Sequence, residues 1–329
     1  MKIQEFRNKM KQCKKDEVEK IAAELYKLLS KSQKETNADP MIEEIISTGT
    51  ISARSKKKAP VIDFDTLKKQ VNVFLQHVDY GYYYEPNRVV PKAKRSKWRF
   101  EVKNFIKMIN EIPADSEHGA ESSQLLRGIY KRLAQGCGYY IFPSEDPFQS
   151  VGIRQPEFYN MLVKRTFATG FTDENLKNML EDATTVNIDR NSLHIELDAI
   201  YANSLPTSDL KYKAIGFIKE YVKHYEAELK EKKKYSHDKY QLKADIEEMC
   251  KTLLLISLSL CEPEDAITYY YKHVHDSNLE ITLYKLLNMI DNYGDDKLWI
   301  RVYEDGLLKG IQPRSSFENR YLELKKNSL

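Results

Sequence analysis

Two acidic motifs come closest to a catalytic pattern in this sequence. They are "VIDFDTL" at 61–67 and "YGDDK" at 293–297. A hydrophobic stretch that ends in Asp-x-Asp can supply a carboxylate nucleophile and a general acid, and later acidic residues can hold Mg²⁺ for phosphoryl transfer. This chemistry requires a parallel sheet that brings the two motifs together. The sequence does not alternate strand and helix patterns, so it predicts no such sheet.

The same motifs resemble those of haloacid-dehalogenase-like phosphatases, but the spacing differs. That family has D-x-D-x-T, whereas here Thr66 follows Asp65 directly. We therefore interpret the acidic residues as helix caps, with Asp65 or Thr66 at the first motif and Asp295 or Asp296 at the second.

The segment "HVHD" at 273–276 offers two imidazoles and a carboxylate. On a helix, positions i and i+2 point about 200° apart. His273 and His275 could share a metal only if the helix ended by Lys272, so polar residues at a helix C-terminus are the favoured interpretation. Nucleotide-binding glycine motifs, G-x-S-x-G and H-E-x-x-H are all absent from the sequence. The sequence predicts no cofactor, no metal and no enzymatic activity.

The stretch "DYGYYYEPNRVVPKAKRSKWRF" at 79–100 contains six aromatic rings and six basic side chains. A second basic run, "RSKKK", lies at 54–58. If both loops lie on one face, they could follow the phosphates of a polyanion; otherwise they are two solvated loops. The candidate polyanion-binding residues are Arg54, Lys56, Lys57, Lys58, Arg88, Lys92, Lys94, Arg95, Lys97 and Arg99.

A short motif occurs twice, as "GYYYEP" at 81–86 and "GYYIFP" at 138–143. We predict two copies of one helix–loop–helix unit, in which a left-handed glycine ends the helix and the tyrosines pack across its end. The second loop contains Glu145 and Asp146 rather than a basic run, so only the cations of the first copy support a binding function. The predicted structural brace consists of Gly81, Tyr82, Tyr83, Pro86, Gly138, Tyr139, Tyr140 and Pro143.

The elements that must position these residues are predicted to be helices. Only 12 Gly and 11 Pro occur in 329 residues, and apolar residues recur at three- and four-residue spacing. Helices are predicted at 97–112, 120–136, 155–169, 173–183 and 189–203, with further helices on either side. The predicted fold is all-α, with stacked antiparallel helical hairpins in a solenoid-like array.

The predicted organisation has four parts. They are a helical N-terminal segment at 1–48, a basic flexible linker at 49–62, a helical region with the twofold repeat at 63–205, and a helical-hairpin array at 206–329.

Charge is distributed unevenly along the chain. Residues 1–100 carry 22 basic and 13 acidic side chains, whereas the net charge of the whole chain is only +3. The four cysteines form no C-x-x-C pair, the N-terminus is charged from its start, and the longest apolar run, at 253–261, is too short to span a bilayer. We therefore expect a cytoplasmic protein that has reduced thiols and does not insert into a membrane.

Two pieces of the chain, Glu17–Leu28 and Pro156–Leu162, resemble a group of small uncharacterised bacterial helical proteins. Those proteins pair a lysine-rich helix with an aromatic loop that precedes an "E-P-F-Y-N-S-L" helix. The resemblance implies an all-helical fold and a bacterial source, and it implies no activity.

The leading hypothesis from the sequence is a non-catalytic protein-interaction or scaffold module, with a groove lined by helices and tyrosines and an unknown protein partner. The alternative is a nucleic-acid-binding or polyanion-binding accessory protein that uses the basic loops at 54–58 and 88–99.

Overall fold

The computed structural model describes residues 3–31, 34–48, 63–231, 237–274 and 278–327. These residues contain 17 α-helices and no β-strand, which confirms the all-α prediction for the described part of the chain. None of the described helices is long and apolar enough to cross a membrane. The predicted linker at 49–62, with Arg54, Lys56, Lys57 and Lys58, lies outside the described residues. The chain divides into two compact units, Met1–Val61 and Ile62–Leu329.

The first unit contains three helices and a π-helical turn: α1 Ile3–Gln12, α2 Lys15–Lys27, the turn Lys34–Ala38 and α3 Asp39–Thr48. Lys14 precedes α2, and its backbone N–H donates to the Glu17 carboxylate at 2.8 Å, which caps the start of that helix. Tyr26 Oη donates to Asp39 Oδ1 at 2.6 Å and so joins α2 to α3.

The second unit contains the remaining helices. They are α4 Phe64–Asp79, α5 Lys92–Arg95, α6 Trp98–Asn110, α7 Gly119–Gly138, α8 Pro147–Val151, α9 Gln155–Ala168, α10 Asp173–Thr184, α11 His194–Asn203, α12 Ser208–Glu231, α13 His237–Ser259, α14 Pro263–His273, α15 Leu279–Tyr293, α16 Asp296–Leu308 and α17 Ser315–Asn327. The short helices α5 and α8 and the full length of α13 were not predicted, and α11 begins five residues later than expected.

The helices of the second unit share one hydrophobic core that extends from Phe64 to Leu324. In its N-terminal part, α7 packs against α4, α6, α8 and α9, and in its C-terminal part α13 packs against α10, α11, α12 and α14. The start of α7 lies very close to the preceding loop, because a Cβ at Gly119 would overlap the backbone carbonyl of Ala114. Close approach of backbone explains why glycine is required there.

Each of the two acidic motifs lies at the N-terminus of a helix. Asp63, rather than Asp65 or Thr66, occupies the N-cap of α4, and its carboxylate accepts a hydrogen bond from Thr66 Oγ1 at 2.5 Å. The predicted cap at Asp65 or Thr66 is therefore wrong, because Asp63 holds the N-cap position and the Thr66 hydroxyl donates to its carboxylate. Asp295 caps α16 by accepting from Leu298 N–H at 2.9 Å, as predicted.

Candidate interaction groove

The loop after α4 has a defined backbone path. Gly81 takes the left-handed conformation, with φ of +69°, and Tyr82 N–H donates to His77 O at 2.9 Å. This bond pattern closes a helix C-terminus, so the predicted left-handed glycine is confirmed at Gly81. The Asn87 side chain then fixes the turn, because its Nδ2 donates to Tyr82 O at 2.7 Å and its Oδ1 accepts from Val90 N–H at 2.7 Å.

Arg95 belongs to the predicted polyanion-binding set, but it is half-buried and holds this loop. Its Nε donates to Val90 O and its Nη2 to Asn87 O, each at 3.1 Å. Arg95 therefore fixes the loop backbone, and five cations of the run remain on the surface: Arg88, Lys92, Lys94, Lys97 and Arg99.

Tyr83 is the member of the first tyrosine group that enters the core. It is 3% exposed, its ring lies 5.4 Å from the Phe74 ring, and its Oη donates to Glu101 Oε2 at 2.9 Å. Burial, followed by the negative charge of Glu101, raises the pKa of Tyr83 far above its ordinary value. The hydroxyl consequently stays protonated and ties the loop to α6.

The second copy of the motif is built differently. Gly138 is the last residue of α7 and does not take a positive φ, so the predicted left-handed glycine is wrong there. Glycine is needed at 138 for another reason, since a Cβ would lie 2.6 Å from Asn187 Cγ. Tyr139 and Tyr140 are each 58% exposed, so they do not pack across the helix end as predicted.

Phe142 supplies the buried ring of the second loop. It is fully buried and stacks on Trp98 with 4.2 Å between ring centroids. The two loops also meet at the surface, where the Tyr84 and Tyr140 rings lie edge to face at 4.7 Å. Pro86 and Pro143 are exposed. The two copies of the motif therefore pack in different ways, although their loops are in contact.

A groove of about 530 Å³ lies between α4, the loop that follows it, and α6. Its floor is made of buried apolar and aromatic side chains, and Val73 and Val89 form walls that are 48% and 52% exposed. The residues that line this α4–α6 groove are Lys69, Gln70, Val73, Phe74, His77, Tyr83, Val89, Val90, Pro91, Lys94, Glu101, Asn104 and Phe105.

The rim of the α4–α6 groove is positively charged. Lys69 and Lys94 are exposed, and neither forms an ion pair with another described residue, although the charge of Lys69 helps to lower the pKa of the nearby Asp63 carboxyl. Glu101, the one carboxylate among the described lining residues, accepts a hydrogen bond from the hydroxyl of Tyr83. The groove thus combines an apolar floor with two exposed lysines at its edge.

The other candidates for chemistry have structural partners. The imidazole of His273 pairs with Glu226, with 2.7 Å between Nδ1 and Oε1, while His275 and Asp276 lie outside the described residues. Asp296 lies 3.6 Å from Arg320. Across the described ranges, no group of three or more His, Cys, Asp or Glu side chains is arranged to hold a metal ion.

Four aspartates of the second unit are buried among the described residues, namely Asp146, Asp182, Asp189 and Asp198, and of these only Asp182 and Asp198 are less than 2% exposed. Asp182 is gripped by Arg127, with Nε–Oδ2 at 2.5 Å and Nη2–Oδ1 at 2.9 Å. Asp198 accepts from Thr252 Oγ1 at 2.8 Å, and its second oxygen is buried without a hydrogen-bond partner. Burial raises the pKa of Asp198 well above its usual range, and the negative charge of Glu248 raises it further.

The sequence pointed to the tyrosines and cations of this region but not to Lys69, Glu101 or Asn104. The signal for the α4 side was the spacing of Lys69, Val73 and His77, which places them along one helix face. No local signal could pair that face with α6. No family model, curated protein or solved structure matches the chain. The geometry of the groove is therefore the basis of the functional proposal.

Proposed function

We propose that this protein is a non-catalytic interaction module that binds a segment of a partner protein in the α4–α6 groove. The observation that supports this proposal is an open groove of about 530 Å³ with an apolar floor and half-exposed apolar walls. Its volume falls within the range of about 300–1,000 Å³ that is typical of binding sites. Covering the exposed walls would contribute about 25 cal/mol for each Å² of apolar surface removed from water.

The groove is preorganised, which favours binding without a large ordering cost. Phe74 and Phe105 are buried members of two helices, and the Tyr83–Glu101 hydrogen bond fixes the intervening loop. Rigid walls lower the conformational entropy that a binding surface loses when a ligand docks.

The stacking of helical hairpins in the C-terminal half is also part of this proposal. Within the C-terminal half, α12 packs on α13, α13 on α14, α15 on α16, and α16 on α17. Contacts between helices that are neighbours in sequence support stacked hairpins in this half, which would act as a scaffold beside the groove.

Site-specific photo-crosslinking tests the proposal. A photoreactive amino acid replaces Val73 in the groove wall and, as the control, replaces exposed Leu308 on α16. We expect one protein from the source cells to be crosslinked from position 73 and not from position 308. The crosslinked protein is then purified and titrated against the chain, and Val73→Asp should weaken its binding whereas Leu308→Asp should not. Equal adducts from both positions, or equal affinity of both variants, would refute the proposal.

A second candidate function is polyanion binding by the basic run. The observation that favours it is that Arg88, Lys92, Lys94, Lys97 and Arg99 are all exposed. No ion pair involves any of them within the described residues. Such cations are available for phosphate groups.

Salt dependence of oligothymidine binding tests this second candidate. Each phosphate contact contributes about 0.7 to the slope of log affinity against log salt concentration for a single strand. Replacing the five cations by Gln should therefore reduce the slope by about 3.5. An unchanged slope would show that these side chains do not contact the strand.

A further inference from the structure

We infer that the α4–α6 groove selects an acidic peptide segment that carries an apolar anchor residue. This inference rests on the proposed function, and it adds the chemical class of the partner. Two independent features of the groove carry it, namely the shape and polarity of the floor and the charge of the rim.

The apolar surface of the groove floor favours a peptide with an apolar anchor residue. Phe74, Tyr83 and Phe105 present carbon surface at its base, and Val73 and Val89 leave about half of their own surface in water. The Tyr83 hydroxyl is already bonded to Glu101, so it does not require a new partner. A branched aliphatic or aromatic side chain is the group that gains most by entering such a site.

The positive charge of the rim favours acidic residues on either side of the peptide's anchor residue. Lys69 comes from α4 and Lys94 from α5, and neither ammonium group forms an ion pair with another described residue, although Asp63 lies near enough to Lys69 to interact with its charge. Arg88, on the loop that borders the groove, and Lys92, at the start of α5, add two exposed cations. Within a screening length of about 8 Å at physiological ionic strength, these charges favour Asp or Glu beside the anchor.

The burial of the rings favours a peptide over a nucleic acid in this groove. Base stacking needs ring faces that are accessible to the ligand. The Phe and Tyr rings of the floor are almost fully buried and the His77 ring is half-buried, whereas the aliphatic walls Val73 and Val89 are about half exposed. Arg95, whose guanidinium could stack on a base, is committed to two backbone carbonyls of the loop.

Selection from a random peptide library displayed on phage tests the inference without choosing a ligand in advance. The targets are the wild-type chain, the double variant Lys69→Glu with Lys94→Glu, and a matched control with Lys223→Glu and Lys297→Glu. The control lysines are exposed on α12 and α16, and the two variants have the same net charge. We expect the wild type and the control to select Asp and Glu around one apolar residue, and the groove variant to lose that preference.

Fluorescence anisotropy with a selected peptide then measures the effect. Surface ion pairs are individually weak, so reversal of both rim charges should weaken binding about tenfold, with little change in the control. A version of the peptide with Gln and Asn in place of its acidic residues should lose a similar factor against the wild type.

The outcomes separate the inference from the proposed function. Selection of neutral or basic peptides that Val73→Asp no longer binds would overturn the acidic class and leave the groove as a peptide site. Failure to select any peptide that depends on Val73 would overturn both. Displacement of the peptide by oligothymidine at equal affinity would overturn the choice of peptide over nucleic acid.

Discussion

Removal of Arg127 should destabilise the second unit far more than removal of Arg132. Both arginines lie on α7 and grip an aspartate on another helix through two hydrogen bonds, Arg127 with Asp182 on α10 and Arg132 with Asp79 on α4. The geometries are closely similar, with the Arg132 bonds at 2.7 and 2.8 Å. The pairs differ in burial, since the side chain of Asp182 is 1% exposed and that of Asp79 is 45% exposed.

Burial sets the magnitude of the difference. The substitution Arg127→Met leaves the Asp182 carboxylate in the interior without its counter-charge, and breaking a buried pair in this way costs about 3–5 kcal/mol. The matched substitution Arg132→Met leaves Asp79 in contact with water, and exposed pairs contribute about 0–1 kcal/mol. The double variant Arg127→Met with Asp182→Leu should recover much of the loss, because no unpaired charge remains inside.

The cost of Arg127→Met should also depend on pH. Burial raises the pKa of Asp182, and the nearby Arg127 opposes this rise. A carboxyl whose folded pKa is raised contributes stability that is fully present below its unfolded pKa of about 3.9 and is lost as the pH rises through the folded pKa. Without Arg127 the folded pKa of Asp182 rises further. The destabilisation should therefore be largest at neutral pH and become smaller toward pH 4.

Urea unfolding followed by circular dichroism measures these free energies at neutral and acidic pH. Equal losses for Arg127→Met and Arg132→Met would refute the reasoning from burial. A cost for Arg127→Met that stays constant with pH would refute the role of the Asp182 charge.

Three further predictions concern the described helices. Gly119→Ala should unfold the second unit or lower its stability by several kcal/mol in urea titrations, because the new Cβ meets backbone, whereas Gly216→Ala in open space should be neutral or stabilise by up to about 1 kcal/mol. Asp198→Asn should stabilise the protein at pH 8 and not at pH 4, because burial and a neighbouring negative charge raise the pKa of this carboxyl; equal effects at both values would contradict this. Iodoacetamide, with the products located by mass spectrometry, should modify exposed Cys261 well before Cys250, because burial raises the pKa of the Cys250 thiol; equal rates would contradict this.

The helices could be predicted from the sequence because their signals are local. Apolar spacing, Pro263 at the start of α14 and Gly294 at the end of α15 all act within a few residues. Short helices such as α5 and α8 escaped prediction since four or five residues are too few to show a period.

The candidate site could be predicted only in part. The sequence singled out Tyr83 and Lys94, which both line the α4–α6 groove. It gave no means of distinguishing Tyr83 from Tyr140, which occupy the same position in the repeated motif, although one is buried and the other exposed.

The sequence by itself determined that the chain is helical, where most helices begin and end, and where its basic residues are concentrated. Those properties depend on hydrogen bonds and side-chain contacts between residues three or four positions apart. The tertiary structure alone decided which rings enter the core, that Arg95 holds a loop, and that Lys69 and Lys94 share one groove. Residues far apart in sequence meet only when helices pack, and that packing depends on the volume and shape of the whole core.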